Sequence, residues 1–153
     1  TLAGCIQGGE VYSGRQAVAE AILPIVNGEM KALVRAGVAF IQLDEPSFAC
    51  HPDRPEEFLD LVARTVEGVA VPVSMHMCFG NFRGRAVGHR SYRPLFPHLG
   101  RARVAQLALE FASREMAEIE LAAQIPPPRT IWGSPWGPNP RKNKQRTILK
   151  RSV

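Results

Sequence analysis

The chain contains one short, mostly apolar stretch that indicates a buried β-strand, Val71-Pro-Val-Ser-Met-His-Met-Cys78. Side chains two positions apart on a strand point to the same face, so His76 and Cys78 can approach the same ion. The stretch is apolar at both alternating sets of positions, which is typical of a parallel sheet covered on both faces. It therefore predicts an α/β fold with two metal-ligating side chains at the end of one strand.

Two comparable strand ends flank this stretch along the chain. Asp44-Glu45 follows the apolar run Val38–Leu43, and Glu110 follows the run Val104–Leu109. In α/β barrels the carboxyl ends of the parallel strands lie at one mouth, and active sites are built there. We therefore expect these polar residues to contribute to one site.

Segments with helical periodicity alternate with these strands. Ser13–Gly37 predicts a helix that Pro24 should kink, and Asp53 followed by Pro55 and acidic residues predicts a second helix that ends at Gly68. A third helix is expected over Arg114–Gln124, capped by Ser113, with three residues facing the core: Met116, Ile119 and Ala123.

The number of strands limits the architecture. A weak strand at Thr1–Ile6 brings the predicted total to about four, whereas a closed eight-fold barrel takes roughly 250 residues. We therefore predict a partial (β/α)8 TIM barrel over residues 1–124, with alternating parallel strands and helices.

Residues 125–153 form a segment of different composition. Three consecutive prolines, a stretch rich in Trp, Gly and Pro, and a basic run show neither helical nor strand periodicity. We expect an irregular, disordered tail. The abrupt change also suggests a truncated barrel, in which other sequence replaces the remaining strands.

The net charge of +5 does not indicate a nucleic-acid-binding domain, because the positive charge is concentrated in the tail. From residue 126 onward there are seven Lys and Arg residues and no acid, so the first 125 residues carry 12 basic and 14 acidic residues. Nucleic-acid binding through the tail, whose affinity should collapse with salt, is the weakest of the functions considered.

The remaining composition predicts neither a membrane span nor a secreted, disulfide-bonded protein. No apolar run approaches the roughly 18 residues that a membrane span requires, and no signal peptide is evident. Three cysteines at irregular spacing, Cys5, Cys50 and Cys78, do not suggest a disulfide framework and fit a reduced, cytoplasmic environment.

His76, Cys78 and Glu110 form the candidate metal site. Imidazole, thiolate and carboxylate are all ligands that zinc takes in proteins, and a bound metal makes thiolates available at neutral pH. Two bland alternatives remain open: Cys78 could be a small core residue, and Asp44-Glu45-Pro46 could be a helix-start turn with solvated acids.

Three motifs together resemble the C-terminal catalytic barrel of the cobalamin-independent methionine synthases: Ile41-Gln-Leu-Asp-Glu-Pro46, His76-Met-Cys78 and Leu107-Ala-Leu-Glu110. The resemblance covers residues 1–124 and extends to zinc-dependent thiol alkyltransferases such as epoxyalkane:coenzyme M transferase. It implies a TIM barrel in which zinc activates homocysteine for methyl transfer from 5-methyltetrahydrofolate, in methionine biosynthesis.

Carried over by position, the resemblance implies zinc ligation by His76, Cys78 and Glu110, and binding of the homocysteine amino group by Asp44. The family's fourth ligand, a cysteine from a later strand, has no counterpart here, since neither Cys5 nor Cys50 lies at a motif position. The acid–base histidine of the later strands is likewise without a match.

Two further interpretations follow from these departures. Cys78 is followed by Phe-Gly-Asn-Phe-Arg-Gly-Arg85, unlike the better-known methionine synthases, which leaves room for another thiol such as coenzyme M. A non-catalytic barrel fragment is the other alternative, and self-association is then expected, because a half-barrel exposes strand edges and apolar faces.

Overall fold

In the computed structural model, residues 1–80, 88–111, 115–125, 130–134 and 148–149 are described, the last two ranges by their backbone alone. Short helices and strands alternate along the chain. In order they are α1 (Leu2–Cys5), α2 (Arg15–Arg35), β1 (Ile41–Asp44), α3 (Pro46–Cys50), α4 (Pro55–Thr65), β2 (Val73–Met77), α5 (Phe96–Leu99), β3 (Gln106–Glu110), a 3-10 helix (Ile119–Gln124), β4 (Thr130–Ser134) and β5 (Ile148–Leu149).

The strands form one sheet in the order β1-β2-β3-β4-β5. The pairs β1–β2, β2–β3 and β3–β4 are parallel, whereas β5 runs antiparallel to β4. The mixed α/β class with a parallel sheet is therefore confirmed. β4 and β5 lie within the segment that the sequence assigns to an irregular tail, most of which lies outside the described residues.

One face of the sheet forms the hydrophobic core. Met75 and Met77 of β2 and Leu107 and Leu109 of β3 are fully buried there. Alternation along the strands places these four side chains on the same face. The helices α2, α3 and α4 complete the same core with buried apolar side chains, among them Met30, Phe48, Ala49, Leu59 and Val62.

Helix α2 confirms the first predicted helix, with shifted ends. It begins at Arg15 after Gly14, two residues beyond the expected Ser13, and it runs through Pro24 without ending. At its end, the Gly37 and Val38 backbone nitrogens donate to the Val34 and Leu33 carbonyls. This closing pattern needs a left-handed residue, and Gly37 supplies it with φ of 95°.

The second predicted helix is confirmed as α4, whose N-cap residue is Arg54 rather than Asp53. Pro55 occupies its first turn together with Glu56 and Glu57, where a fixed φ and negative charges favour a helix start.

Two predicted elements are wrong in type. The weak strand at Thr1–Ile6 is the short helix α1, because four small and apolar residues do not by themselves distinguish a strand from a helical turn. The third helix is a 3-10 helix limited to Ile119–Gln124; it buries Leu121, whereas Ala123 is exposed. Met116 and Ile119 pack against the core as expected, and the Ser113 cap lies outside the described residues.

The reason for the shortened third helix lies in the backbone before it. Glu115, Met116 and Glu118 all have positive φ, which an α-helix of L-residues does not accommodate.

Across the described part of the chain, no helix is long and apolar enough to cross a membrane.

Candidate functional site

The second face of the sheet carries the predicted site residues. In the β1–β2 register Asp44 lies opposite His76, and in the β2–β3 register His76 lies opposite Ala108. Glu110 lies two positions beyond Ala108 on β3, and Cys78 lies two positions beyond His76, directly after β2 ends at Met77. Because alternate residues of a strand share a face, all four site residues lie on the face opposite the apolar core.

Their burial suits a site that small molecules can reach. His76, Cys78 and Glu110 are half-buried, and Asp44 is exposed. Parallel strands arranged in this way bring polar side chains to the carboxyl edge of a sheet, as in the active sites of α/β proteins.

The Cys78 thiol lies within electrostatic range of the Glu110 and Asp44 carboxylates. Burial raises its pKa above the ordinary cysteine value, the negative charges of Glu110 and Asp44 raise it further, and a hydrogen bond from the Gly80 backbone lowers it. The three side chains are thus close enough to interact electrostatically. A cation among them would offset this accumulation of negative charge.

Asp44 and Glu45 have separate roles in the structure. The Gln42 side chain donates to Asp44 Oδ1 at 2.9 Å, and Asp44 is exposed. Glu45 accepts from the Ser47 backbone nitrogen at 3.0 Å and caps α3. The helix-start interpretation is therefore confirmed for Glu45, and α3 itself was not predicted.

Tyr92 is a site-adjacent residue that the sequence did not reveal. Its hydroxyl donates to the Met77 carbonyl at 2.7 Å and accepts from the Glu110 backbone nitrogen at 2.8 Å. The residue is 1% exposed, and burial is the main cause of a raised pKa of its hydroxyl. It lies in an irregular segment without a motif, so no local pattern points to it.

Cys50, at the end of α3, is a second half-buried thiol beside the site. Burial raises its pKa, and the nearby Cys78 raises it further. A Cβ added at Gly88 would lie 3.0 Å from Cys50 Sγ, while the Gly88 backbone nitrogen donates to the Phe79 carbonyl at 2.8 Å. Cys50 therefore packs against the segment that follows Cys78, a contact that the motif spacing does not predict.

A cavity of about 280 Å³ opens next to this site, at the end of β1. Mostly apolar residues of α2 and α4 line it, together with Asp44, Glu45, His51 and Arg54. Of the four predicted site residues, Asp44 lines the cavity, whereas His76, Cys78 and Glu110 do not.

The donor chemistry of the polar face fits a zinc ion. Imidazole, thiolate and carboxylate are three ligand types that zinc accepts, and here they come from adjacent strands. As the side chains are placed, however, no group of three or more His, Cys, Asp or Glu residues within the described ranges is arranged to hold a metal ion. Ligation would require rotation of these side chains toward one another.

The comparisons with known proteins converge on one enzyme. The methionine synthase of Pyrococcus abyssi is 30% identical over 116 residues, which are 76% of this chain and 31% of that protein. The methionine synthase of Pyrococcus horikoshii is 28% identical over 141 residues, 92% of this chain and 39% of that protein. No protein-family model matches the sequence.

A solved structure agrees with these relatives. It is a B12-independent methionine synthase from Shewanella sp. W3-18-1 in complex with selenomethionine. It superposes with a TM-score of 0.67 and 27% identity, and the match covers 80% of this chain and 38% of that one. The chain therefore spans well under half the length of the proteins that it matches.

Proposed function

We propose that this chain, a relative of the B12-independent methionine synthases over 31 to 39% of their length, carries the zinc-binding part of a thiol methyltransferase site. The reaction would transfer a methyl group from 5-methyltetrahydrofolate to the thiol of homocysteine, in methionine biosynthesis. The sheet would then be part of a (β/α)8 barrel.

One observation carries this proposal: the parallel registers of β1, β2 and β3 bring Asp44, His76, Cys78 and Glu110 to one face and one edge of the sheet. A carboxylate, an imidazole and a thiol from three successive strands would be an unusual set for an inert surface. Charged groups placed together in this way are characteristic of binding sites.

The residues would divide the chemistry between binding metal and binding substrate. His76, Cys78 and Glu110 would hold zinc, which supplies a Lewis acid that keeps a substrate thiol deprotonated at neutral pH. Asp44, oriented by Gln42 and lining the cavity, would bind the ammonium group of the amino-acid substrate. Its negative charge makes a charge-assisted hydrogen bond to such a group favourable.

The proposed partners are small molecules, a thiol and a folate methyl donor, in the cytoplasm. The proposal assigns no role to a membrane or to nucleic acid. The fourth zinc ligand and an acid–base group would come from outside the matched residues, either from additional polypeptide or from a self-associated copy.

The metal content of the purified full chain tests the proposal directly. Elemental analysis should find near-stoichiometric zinc in the wild type and clearly less in His76→Ala and in Cys78→Ser. Glu67→Gln, on an exposed residue beyond α4, is the control and should retain zinc. A folded wild type without zinc would instead favour the non-catalytic barrel fragment.

If zinc is present, binding measurements identify which thiol is the substrate. Homocysteine and coenzyme M can be titrated separately into the zinc-loaded chain by calorimetry. Preference for homocysteine is expected, since coenzyme M lacks the ammonium group that Asp44 would bind. Preference for coenzyme M would identify the chain as a different thiol alkyltransferase.

A further inference from the structure

We infer that Tyr92 is a positioning residue for the proposed zinc site, because its hydroxyl ties together the two strand ends that carry the ligands. This inference rests on the proposed function. It adds a residue that belongs to none of the three sequence motifs and that does not itself contact the metal.

The hydroxyl lies between the two sources of ligands. It donates to the carbonyl of Met77, the residue between His76 and Cys78, at 2.7 Å. It accepts from the backbone nitrogen of Glu110, the carboxylate ligand, at 2.8 Å. The main-chain ladder between β2 and β3 pairs residues only as far as Met77 and Leu109, so the hydroxyl adds a connection at the point where the ladder ends.

The ring of Tyr92 is fixed by the residues that directly follow two of the ligands. Its centroid is 4.4 Å from that of Phe79, which follows Cys78, and 5.5 Å from that of Phe111, which follows Glu110. A third ring, Phe96, packs edge-on at 6.4 Å. With 1% exposure, the tyrosine has no free rotation and competing water is excluded.

The backbone of Tyr92 is anchored by Glu118, the residue that directly precedes the 3-10 helix. Its nitrogen donates to Glu118 Oε2 at 2.9 Å, and the neighbouring Ser91 hydroxyl donates to Glu118 Oε1 at 2.8 Å. Glu118 is itself 8% exposed. Tyr92 is therefore held at its backbone by Glu118 and at its hydroxyl by the two strand ends.

This arrangement has a direct consequence for metal binding. A metal site requires ligand positions defined to within about 0.5 Å. Groups that orient metal ligands without touching the metal typically change affinity by about 10- to 100-fold when they are removed. Loss of the Tyr92 hydroxyl should release the β2 and β3 ends from each other and weaken zinc binding over this range.

The test is Tyr92→Phe in the full chain, which removes the hydroxyl and keeps the ring. Zinc affinity is measured by competition with a chromophoric chelator, and ligand geometry by the visible absorption of the cobalt(II)-substituted protein. We expect zinc to bind about 10- to 100-fold more weakly with a changed cobalt spectrum. Tyr12→Phe, at a tyrosine that is 39% exposed, is the matched control and should behave as wild type.

The outcomes separate this inference from the proposed function. If wild type and Tyr92→Phe bind zinc equally and give the same cobalt spectrum, Tyr92 has no positioning role, even if the variant is less stable to urea. If the wild type itself binds no zinc, the proposed function fails and this inference fails with it. Should Tyr92→Phe not fold, Ser91→Ala loosens the same anchor, and unchanged zinc affinity in that variant would overturn the inference.

Discussion

Asp44 at the end of β1 lies directly opposite His76 of β2 in the parallel register. Neighbouring strands in a sheet are about 4.8 Å apart, so the two residues are neighbours at the same edge of the sheet. Asp44 also lines the cavity beside this edge, whereas His76 does not. The pair therefore joins a pocket that could receive a substrate to a face that could hold a metal.

Substitution of Asp44 tests whether the pocket side of this pair binds the substrate. Asp44→Asn keeps the shape and the acceptor oxygen but removes the charge, and a hydrogen bond to a charged group is worth about 1.5–3 kcal/mol. Homocysteine should bind the zinc-loaded chain more than tenfold more weakly, as measured by calorimetry, with zinc content unchanged. Asp60→Asn, on an outward-facing and 62% exposed carboxylate of α4, should leave homocysteine affinity as in the wild type. Equal affinities of Asp44→Asn and wild type for homocysteine would show that Asp44 does not bind the substrate.

Glu118 provides a test of the anchor beneath the site. This carboxylate is 8% exposed and accepts hydrogen bonds from the Ser91 hydroxyl and the Tyr92 backbone nitrogen. Glu118→Ala leaves a buried N–H without that acceptor, which costs about 1–3 kcal/mol. The free energy of unfolding in urea should fall by this amount.

Glu120→Ala is the matched control for Glu118. Both carboxylates pair with Arg93, but Glu120 is 62% exposed. Exposed ion pairs contribute about 0.2–1 kcal/mol, so Glu120→Ala should lower the free energy of unfolding less than Glu118→Ala does. Equal losses in the two variants would mean that the ion pair with Arg93, and not the buried hydrogen bonds, stabilises this region.

The sequence predicts helices and strands well where a local pattern defines them. Helix α2 and strand β2 have long or strongly apolar patterns, and Gly37 marks a helix end that only a left-handed residue can close. The predicted strand at Val38–Leu43 begins later, at Ile41, for a physical reason. The Val38 nitrogen donates to the Leu33 carbonyl at the helix end and is not available to the sheet.

The candidate site was predictable only in part. That His76 and Cys78 share a face follows from alternation along one strand. How far along the sheet Glu110 lies relative to them depends on the register between β2 and β3. The hydrophobic pattern predicts which face each strand buries, and the strand ends predict that Glu110 shares the site, but the exact alignment of two parallel strands along their length is set by tertiary packing. Tyr92 was missed for the same reason, since an irregular segment brings it to the strand ends from outside the sheet.

Gly28 offers a stabilising substitution away from the site. It lies in the exposed part of α2, and a Cβ added there would meet nothing within 4 Å. Glycine in a helix interior is roughly 0.5–1 kcal/mol less favourable than alanine, so Gly28→Ala should raise the free energy of unfolding by that amount. Gly37→Ala provides the contrast: φ of 95° strains any L-residue, and stability should decrease by about 1 kcal/mol or more. A loss of stability in Gly28→Ala would contradict the continuous course of α2 through this position.

The ion pair between α2 and α4 predicts an acid-dependent contribution to stability. Arg64 of α4 donates to both carboxylate oxygens of Glu20 in α2, and these hydrogen bonds lower the pKa of Glu20 below its ordinary value of 4.5. A carboxyl group whose pKa is lower in the folded state stabilises the protein above its ordinary pKa, and that contribution is lost as the pH falls through the folded value. A double-mutant cycle with Glu20→Gln and Arg64→Gln, measured by urea unfolding, should give a favourable coupling energy at pH 7 and a smaller one at an acidic pH well below the ordinary glutamate value of 4.5. Both side chains are about 40% exposed, so added salt should also reduce the coupling at pH 7. A coupling energy that is the same at both pH values would show that α2 and α4 are joined by packing alone.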